Sequence, residues 1–342
     1  MAHPQVVLEL NPSANNPRNS EGSMIELRDG RLMFTYSHFY GGSRDDAPAY
    51  IAALFSEDRG KTWQDEVVLV PNAWKNVMSV SLLRFQSGEL GLFYLERHSL
   101  TDMRIVLRKS FDEGSTWSEP VYCMTEAGYY VVNNDRVIQL DCGKLIVPAA
   151  LHARPGEAWS PAGVVYCFYS DDGGKAWEKS QAVESPNQDL WFQEPGVVPL
   201  PDGKLMLWTR TNQGAQYLAF SSDGGRTWTE PEPSALSSPR SPASIKKIPR
   251  TDEYLCIYND HSGRFPFVPE KRTPLVAARS KDGINWYGHK LLEADPDGWY
   301  CYTSITFIDD NVFLGYCAGD SQVGGLNRLR LKMIPLSWLT ED

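Results

Sequence analysis

One short pattern recurs five times in this chain, and no other feature narrows its fold as much. Ser56 to Trp63, Ser110 to Trp117, Ser170 to Trp177 and Ser221 to Trp228 all read S-x-D-x-G-x-(T/A)-W, and Ser280 to Trp286 is a shortened copy. The aspartates Asp58, Asp112, Asp172, Asp223 and Asp282 stand 54, 60, 51 and 59 residues apart, so a mean unit of 56 fits into 342 residues about six times. Within each stretch Asp and Ser suit bonds to the amides of a turn, Gly supplies a left-handed conformation, and Trp is an aromatic to bury between neighbouring sheets. These aspartates are therefore read as structural.

A second signal runs in phase with the first. An apolar residue, a turn and an apolar run, the mark of a β-hairpin, recur at Leu27–Leu32, Phe85–Leu90, Leu140–Leu145 and Leu200–Leu205, with weaker forms at Ile248–Leu255 and Ile308–Phe313. Short apolar strands such as Val164–Phe168 complete the pattern, and no extended amphipathic helix is evident. A unit of 50–60 residues with about four strands, repeated six times, predicts an all-β fold. The expected architecture is a six-bladed β-propeller of four-stranded antiparallel blades forming a single domain over residues 1–342. With five turns for six units, the segment Gln5 to Leu10 is expected to close the ring by pairing with strands near Leu329 to Ile334.

Composition removes several functional classes. A hydrophobic content of 42% and 11 Trp supply a large core, and 33 basic against 43 acidic side chains give a net charge of −10. That balance argues against nucleic acid or an anionic membrane surface as the main partner, so an anionic ligand needs a local arginine cluster. No run of about 18 apolar residues suggests a membrane span, and the absence of an export signal leads to a cytoplasmic expectation, or a secreted one if a leader was removed. Six cysteines without CxxC pairs read as core thiols, and six histidines without HExxH spacing give no expected metal. With no P-loop, dinucleotide fingerprint or G-x-S-x-G elbow, no cofactor is expected.

The five turns resemble the Asp boxes, or BNR repeats, of the sialidase superfamily, and the resemblance covers essentially the whole chain. It marks fold more than function, so activity rests on residues that do not repeat. Glu194, in Trp191-Phe-Gln-Glu-Pro, and Arg210 flank the Leu200–Leu205 hairpin 16 residues apart, similar to a Glu and an Arg in family sialidases. Arg272 lies eight residues before Ser280, where the family carries an arginine of its carboxylate-binding triad; Arg279 and Arg264 are alternatives. Tyr302, in Tyr302-Thr-Ser-Ile-Thr-Phe-Ile-Asp-Asp310, resembles the stretch bearing the family nucleophile, with Tyr300 and Tyr316 as neighbours that pack. Asp45, eleven before Ser56, matches the acid/base position, and Asp46 beside it is a competitor and a candidate substrate contact. Only Arg18, in Asn16-Pro-Arg-Asn-Ser-Glu-Gly22, answers to the family's opening R-I-P stretch, and Glu21 adds a carboxylate near it.

The resemblance implies an exo-acting retaining glycoside hydrolase that releases terminal sialic acid or a related acidic ulosonic acid. Such a sugar carries its carboxylate on the carbon bearing the glycosidic bond, so an anionic nucleophile is repelled and a neutral phenol is not. Tyr302 would attack with Glu194 taking its proton, Asp45 would protonate the leaving oxygen, and Arg18, Arg210 and Arg272 would grip the carboxylate. Two other readings keep the scaffold: a hydrolase or lyase acting on uronic-acid polysaccharides, and a non-catalytic carbohydrate-binding propeller. His38, His152 and Trp159 either rim the pocket and grip the aglycone or merely pack, and Arg136, Arg240 and Asp135 are candidate rim residues without an assigned role.

Overall fold

A computed structural model describes residues 3–341. The chain is a succession of antiparallel meanders, each strand paired with the next. The first sheet holds Arg18–Glu26, Leu32–Phe39, Ala49–Ser56 and Val67–Val70; two later ones hold Gln193–Pro199 through Glu232–Ser237 and Ser244–Lys247 through Tyr287–Glu293. The last sheet combines Trp299–Ile308, Asn311–Gly319 and Leu329–Pro335 with the N-terminal strand Gln5–Leu10. Gln5 lies opposite Met333 and Leu10 opposite Leu329, the pairing of chain ends expected from the sequence.

Residues 76–179 depart from the four-stranded expectation by forming one nine-stranded sheet. Two successive meanders are joined through the short strand Tyr129–Val131. It pairs antiparallel with Leu145–Ala153 and, by Tyr129 opposite Met103, parallel with Met103–Ser110.

The repeated turns are built as their residues dictate. In the first, Ser56 Oγ donates to Asp58 Oδ1 (2.9 Å), the Gly60 amide donates to Ser56 Oγ (2.8 Å), and the Lys61 and Thr62 amides donate to Asp58 (3.0 and 2.9 Å). These donors hold the Asp58 carboxyl down to about 2, the side-chain bond from Thr62 first among them. Gly60 has φ +85°, and a Cβ there would stand 2.6 Å from Phe313 of the last sheet, so the glycine serves both the turn and the contact between sheets.

Hydrophobic clusters join each meander to the next, and one joins the first sheet to the last. Trp63, Trp117, Trp177, Trp228 and Trp286 each belong to a different one of these clusters, or pack against it. The last sheet has no such turn. Its third strand runs instead into the helix Leu336–Thr340, and Trp338 packs against the cluster shared with the Ser244–Lys247 sheet. An indole thus reaches this interface from a helix where the other interfaces take it from a turn.

Candidate active site

The first strands of the meanders share a device that the sequence repeat does not announce. Four of them carry a register shift, at Ser20/Ser23, Met78/Ser81, Gln193/Gly196 and Cys301/Ser304. Inside each shift sits a non-glycine residue with positive φ: Glu21 (58°), Ser79 (57°), Glu194 (50°) and Tyr302 (57°). Bulges re-aim side chains, and a left-handed non-glycine residue is held only where surrounding structure enforces it. All four line one cavity of about 500 Å³. Asp135 (φ 59°), just before Ile138–Gln139, is the corresponding residue of another meander. It accepts bonds from Lys246 Nζ (2.7 Å), the Ile305 amide (2.8 Å) and Ser23 Oγ (3.3 Å), which commits it to tying strands together.

The structure brings Tyr302, Glu194 and Arg210 into one relay. Tyr302 Oη donates to Glu194 Oε1 at 2.9 Å, and Arg210 Nη1 donates to Glu194 Oε2 at 2.5 Å. Gln193 lies opposite Arg210 across the hairpin, which puts Glu194 and Arg210 at the same end of their strands. Burial pushes the Glu194 carboxyl up, but Arg210 and Arg272 outweigh it and hold it below the usual glutamate range. The Tyr302 phenol is raised by burial and by the Glu194 charge, so it keeps its proton while presenting it to that carboxylate. Arg272 lies over the Tyr302 ring (5.2 Å) and the Trp299 ring (5.3 Å), and its Nε and Nη1 are buried without a hydrogen-bond partner.

Arg18 is placed differently from Arg210 and Arg272. Its Nη1 donates to Asp45 Oδ1 (2.5 Å) and the Ser43 carbonyl (3.2 Å), its Nε to Ser20 Oγ (3.0 Å), and its Nη2 reaches Glu21 Oε1 at 3.5 Å. It lines a second cavity of about 560 Å³ and is screened from the first by its own partners. Glu21 also accepts from Ser79 Oγ (2.6 Å), and burial, working against Arg18, raises its carboxyl. The Asp45 side chain is 61% exposed and lines both cavities. Desolvation raises its carboxyl, but Arg18, helped by Arg97 and Arg272, holds it below the usual aspartate value. Asp46 lines only the second cavity and accepts from Arg44 Nε (3.1 Å).

Sequence reasoning missed Arg97. It ends the strand Leu90–Arg97, is buried, lines both cavities, lies 5.3 Å over the Tyr129 ring, and keeps a buried Nε without a partner. Arg97, Arg210 and Arg272 are thus three guanidiniums that line the main cavity with an unsatisfied buried Nε–H. A buried donor without a partner marks a place where a ligand or water belongs. The available signal was Arg97's place at the end of the second strand of its meander, which is also where Arg210 stands.

The other candidates lie elsewhere or have partners. Arg279 reaches Glu253 (3.1 Å) and the Thr340 carbonyl (3.3 Å), and Arg264 pairs with Asp260 (2.7 Å). Tyr300 packs in the core and Tyr316 donates to Glu293 (2.5 Å). Arg136 donates to the Ala243 carbonyl (2.7 Å) and Ser244 (3.2 Å), and His38 meets Glu66 (2.8 Å). Arg240 lines the main cavity and lies 5.8 Å from the Trp191 ring, while His152 and Trp159 form part of its rim. Among the described residues no group of three or more His, Cys, Asp or Glu side chains is arranged to hold a metal ion, and no helix is long and apolar enough to cross a membrane.

Comparison with known proteins adds the family. The BNR repeat-like domain family matches residues 30–314. A sialidase of Bacteroides fragilis is 26% identical over 327 residues, covering 84% of this chain and 57% of that protein, and a sialidase of Paraclostridium sordellii is 26% identical over 239 residues, covering 62% and 57%. The chain therefore spans a little over half the length of these curated relatives. Among solved structures, the intramolecular trans-sialidase of Ruminococcus gnavus, in complex with oseltamivir carboxylate, superposes with a TM-score of 0.77 at 15% identity, over 98% of each chain. This likeness is one of fold.

Proposed function

This chain belongs to the BNR repeat-like domain family, and we propose that it is an exo-acting retaining glycoside hydrolase releasing terminal sialic acid or a closely related acidic ulosonic acid. In this reading residues 1–342 form a single six-bladed propeller, with the nine-stranded sheet counted as two blades joined edge to edge through Tyr129–Val131. The observation that carries the activity is the Tyr302–Glu194–Arg210 relay beside an unsatisfied Arg272, in a cavity that Asp45 also lines.

The sugar carboxylate would take up the free donors of Arg272 and Arg210, with Arg97 at the same cavity. Charge-assisted contacts of this kind contribute about 1.5–3 kcal/mol each when sheltered from water. Tyr302 Oη attacks the anomeric carbon as its proton passes to Glu194, and the carbon–oxygen bond to the leaving group breaks as Asp45 delivers a proton to that oxygen. Water, deprotonated by Asp45, then displaces Tyr302, which recovers its proton from Glu194. Two displacements at one carbon retain its configuration.

Asp45 cannot donate a proton while paired with Arg18. Arrival of a carboxylate in the main cavity puts a negative charge near Asp45 and engages Arg97 and Arg272, which help to hold the Asp45 carboxyl down, and both changes raise it. Substrate binding thereby prepares the acid. Release of 4-methylumbelliferone from its α-sialoside tests the reading, with glycosides of other ulosonic acids and of uronic acids as the comparison set. Turnover of uronic-acid glycosides alone would replace it with the polysaccharide reading, and turnover of none would leave a binding protein.

A further inference from the structure

A sugar carboxylate accounts for the arginines of the main cavity, but the other polar substituents of such a sugar are hydroxyls and amides, and each brings a hydrogen that needs an acceptor. Three carboxyls line the cavity: Glu21, Asp45 and Glu194. Both oxygens of Glu194 are taken, Oε1 by Tyr302 (2.9 Å) and Oε2 by Arg210 (2.5 Å). Asp45 accepts from Arg18 and serves the leaving oxygen in the mechanism above. Glu21 is the carboxyl that the mechanism does not use. A carboxylate has about four acceptor positions. Glu21 fills one well, with Ser79 Oγ at 2.6 Å from Oε2, and one poorly, with Arg18 Nη2 at 3.5 Å from Oε1. It is 5% exposed, so bulk water does little to make up the difference, and burial raises its carboxyl despite Arg18. Its φ of 58° shows that its place in the bulge is enforced against backbone preference.

A donor beside it is equally unspent. Asn133 is buried, lines the same cavity, and its Nδ2 has no hydrogen-bond partner. The next residue, Asn134, donates through Nδ2 to the Gly22 carbonyl at 2.7 Å and to the Tyr302 carbonyl at 3.0 Å, which lays this turn against the bulge that carries Glu21. An open acceptor and an open donor therefore stand on adjoining walls of one cavity. A hydroxyl group, which donates one bond and accepts others, satisfies both. A methylene offers nothing to either, and a second anion would meet the charge of Glu21.

We propose that Glu21 and Asn133 select the acidic sugar by gripping one of its hydroxyl groups, with Glu21 Oε1 as acceptor and Asn133 Nδ2 as donor. The proposal rests on the hydrolase reading above. It is tested with 4-methylumbelliferyl α-sialoside and a set of analogues that each lack one hydroxyl group of the sugar. In the wild-type protein one analogue is expected to lose about tenfold or more in kcat/KM, because the missing hydroxyl leaves a buried charged acceptor unpaired. Glu21→Met, which keeps the length and removes the acceptor, should erase that difference, so that parent and analogue turn over alike. Glu21→Gln, which keeps the shape and a weaker neutral acceptor, should narrow it, and so should Asn133→Ala. Equal wild-type turnover of the parent and every analogue would overturn the selection while leaving the hydrolase reading intact, as would a difference that persists in full in Glu21→Gln and Asn133→Ala. Absence of wild-type turnover of the parent would overturn the hydrolase reading, and the selection with it.

Discussion

The five S-x-D-x-G turns and the bulged first strands are both repeated structures, and they repeat in opposite ways. The turns repeat residue and geometry together: in each, Ser Oγ donates to the Asp at 2.8–2.9 Å and backbone amides close on the same carboxylate. The bulges repeat geometry alone. The same left-handed backbone, φ between 50° and 58°, carries Glu21, Ser79, Glu194 and Tyr302 into one cavity. A scaffold thus offers equivalent positions around a shared space, and chemistry appears where the residues at those positions differ. The Ser244–Lys247 and Ile138–Gln139 strands pair without a register shift.

Changes at the bulges should break activity and spare the fold, and the largest effect is expected at Tyr302. Tyr302→Phe should lower kcat for 4-methylumbelliferyl sialoside on the order of 10⁴-fold or more, with circular dichroism and melting temperature little changed. Glu194→Gln comes next, at about 10²–10⁴-fold in kcat, since an amide cannot accept the phenolic proton. The amide keeps the shape but leaves Arg210 without its buried counter-charge, and removing one partner of a buried ion pair costs about 3–5 kcal/mol, so the melting temperature is read beside kcat in this variant. Arg272→Lys should cost about 10–100-fold in kcat/KM, because an ammonium cannot make a forked contact with a carboxylate. Equal kinetics in that variant would detach Arg272 from the anion.

The contrast between the two kinds of repeat also explains what could be read from the residues alone. The turns, the in-phase hairpins and the pairing of Gln5–Leu10 with the C-terminal strand follow from local periodicity, because backbone hydrogen bonds recur with the residues that shape them. The approach of Glu194 to Arg210 was legible for the same reason, since a single hairpin sets it. Arg18 and Arg97 were not. Whether a guanidinium faces a cavity or a neighbouring carboxylate depends on which charge lies nearest in space, and the 2.5 Å contact between Arg18 and Asp45 crosses between a strand and a loop. Nor does spacing reveal that Trp338 of a terminal helix reaches the interface that lacks a turn tryptophan.

Two smaller effects sharpen the comparison. Glu194 must be a carboxylate, and its value lies below the usual glutamate range, so activity should be lost only as the pH falls below that range. Asp45 must carry a proton, and in the free protein its value lies below that of an ordinary aspartate, so kcat/KM should decline as pH rises from acid. In the complex, with the substrate carboxylate in the cavity that Asp45 lines, the basic limb of kcat should lie at higher pH than the basic limb of kcat/KM. Coincident limbs in the two profiles would contradict a rise of the Asp45 carboxyl on substrate binding. At the turns the expectation reverses. Asp58→Ala should lower the melting temperature by a few degrees and leave turnover per folded molecule unchanged, because its partners all lie within the turn.

The most direct test asks where the sugar is attached during turnover. Incubation with a 2,3-difluorinated sialic acid, followed by intact-protein and peptide mass spectrometry, should reveal one sugar per chain bonded to the peptide containing Tyr302, and none in Tyr302→Phe. An adduct on Asp45, Glu21 or Glu194, or sialoside turnover by Tyr302→Phe at the wild-type rate, would contradict the assignment of the phenol as nucleophile.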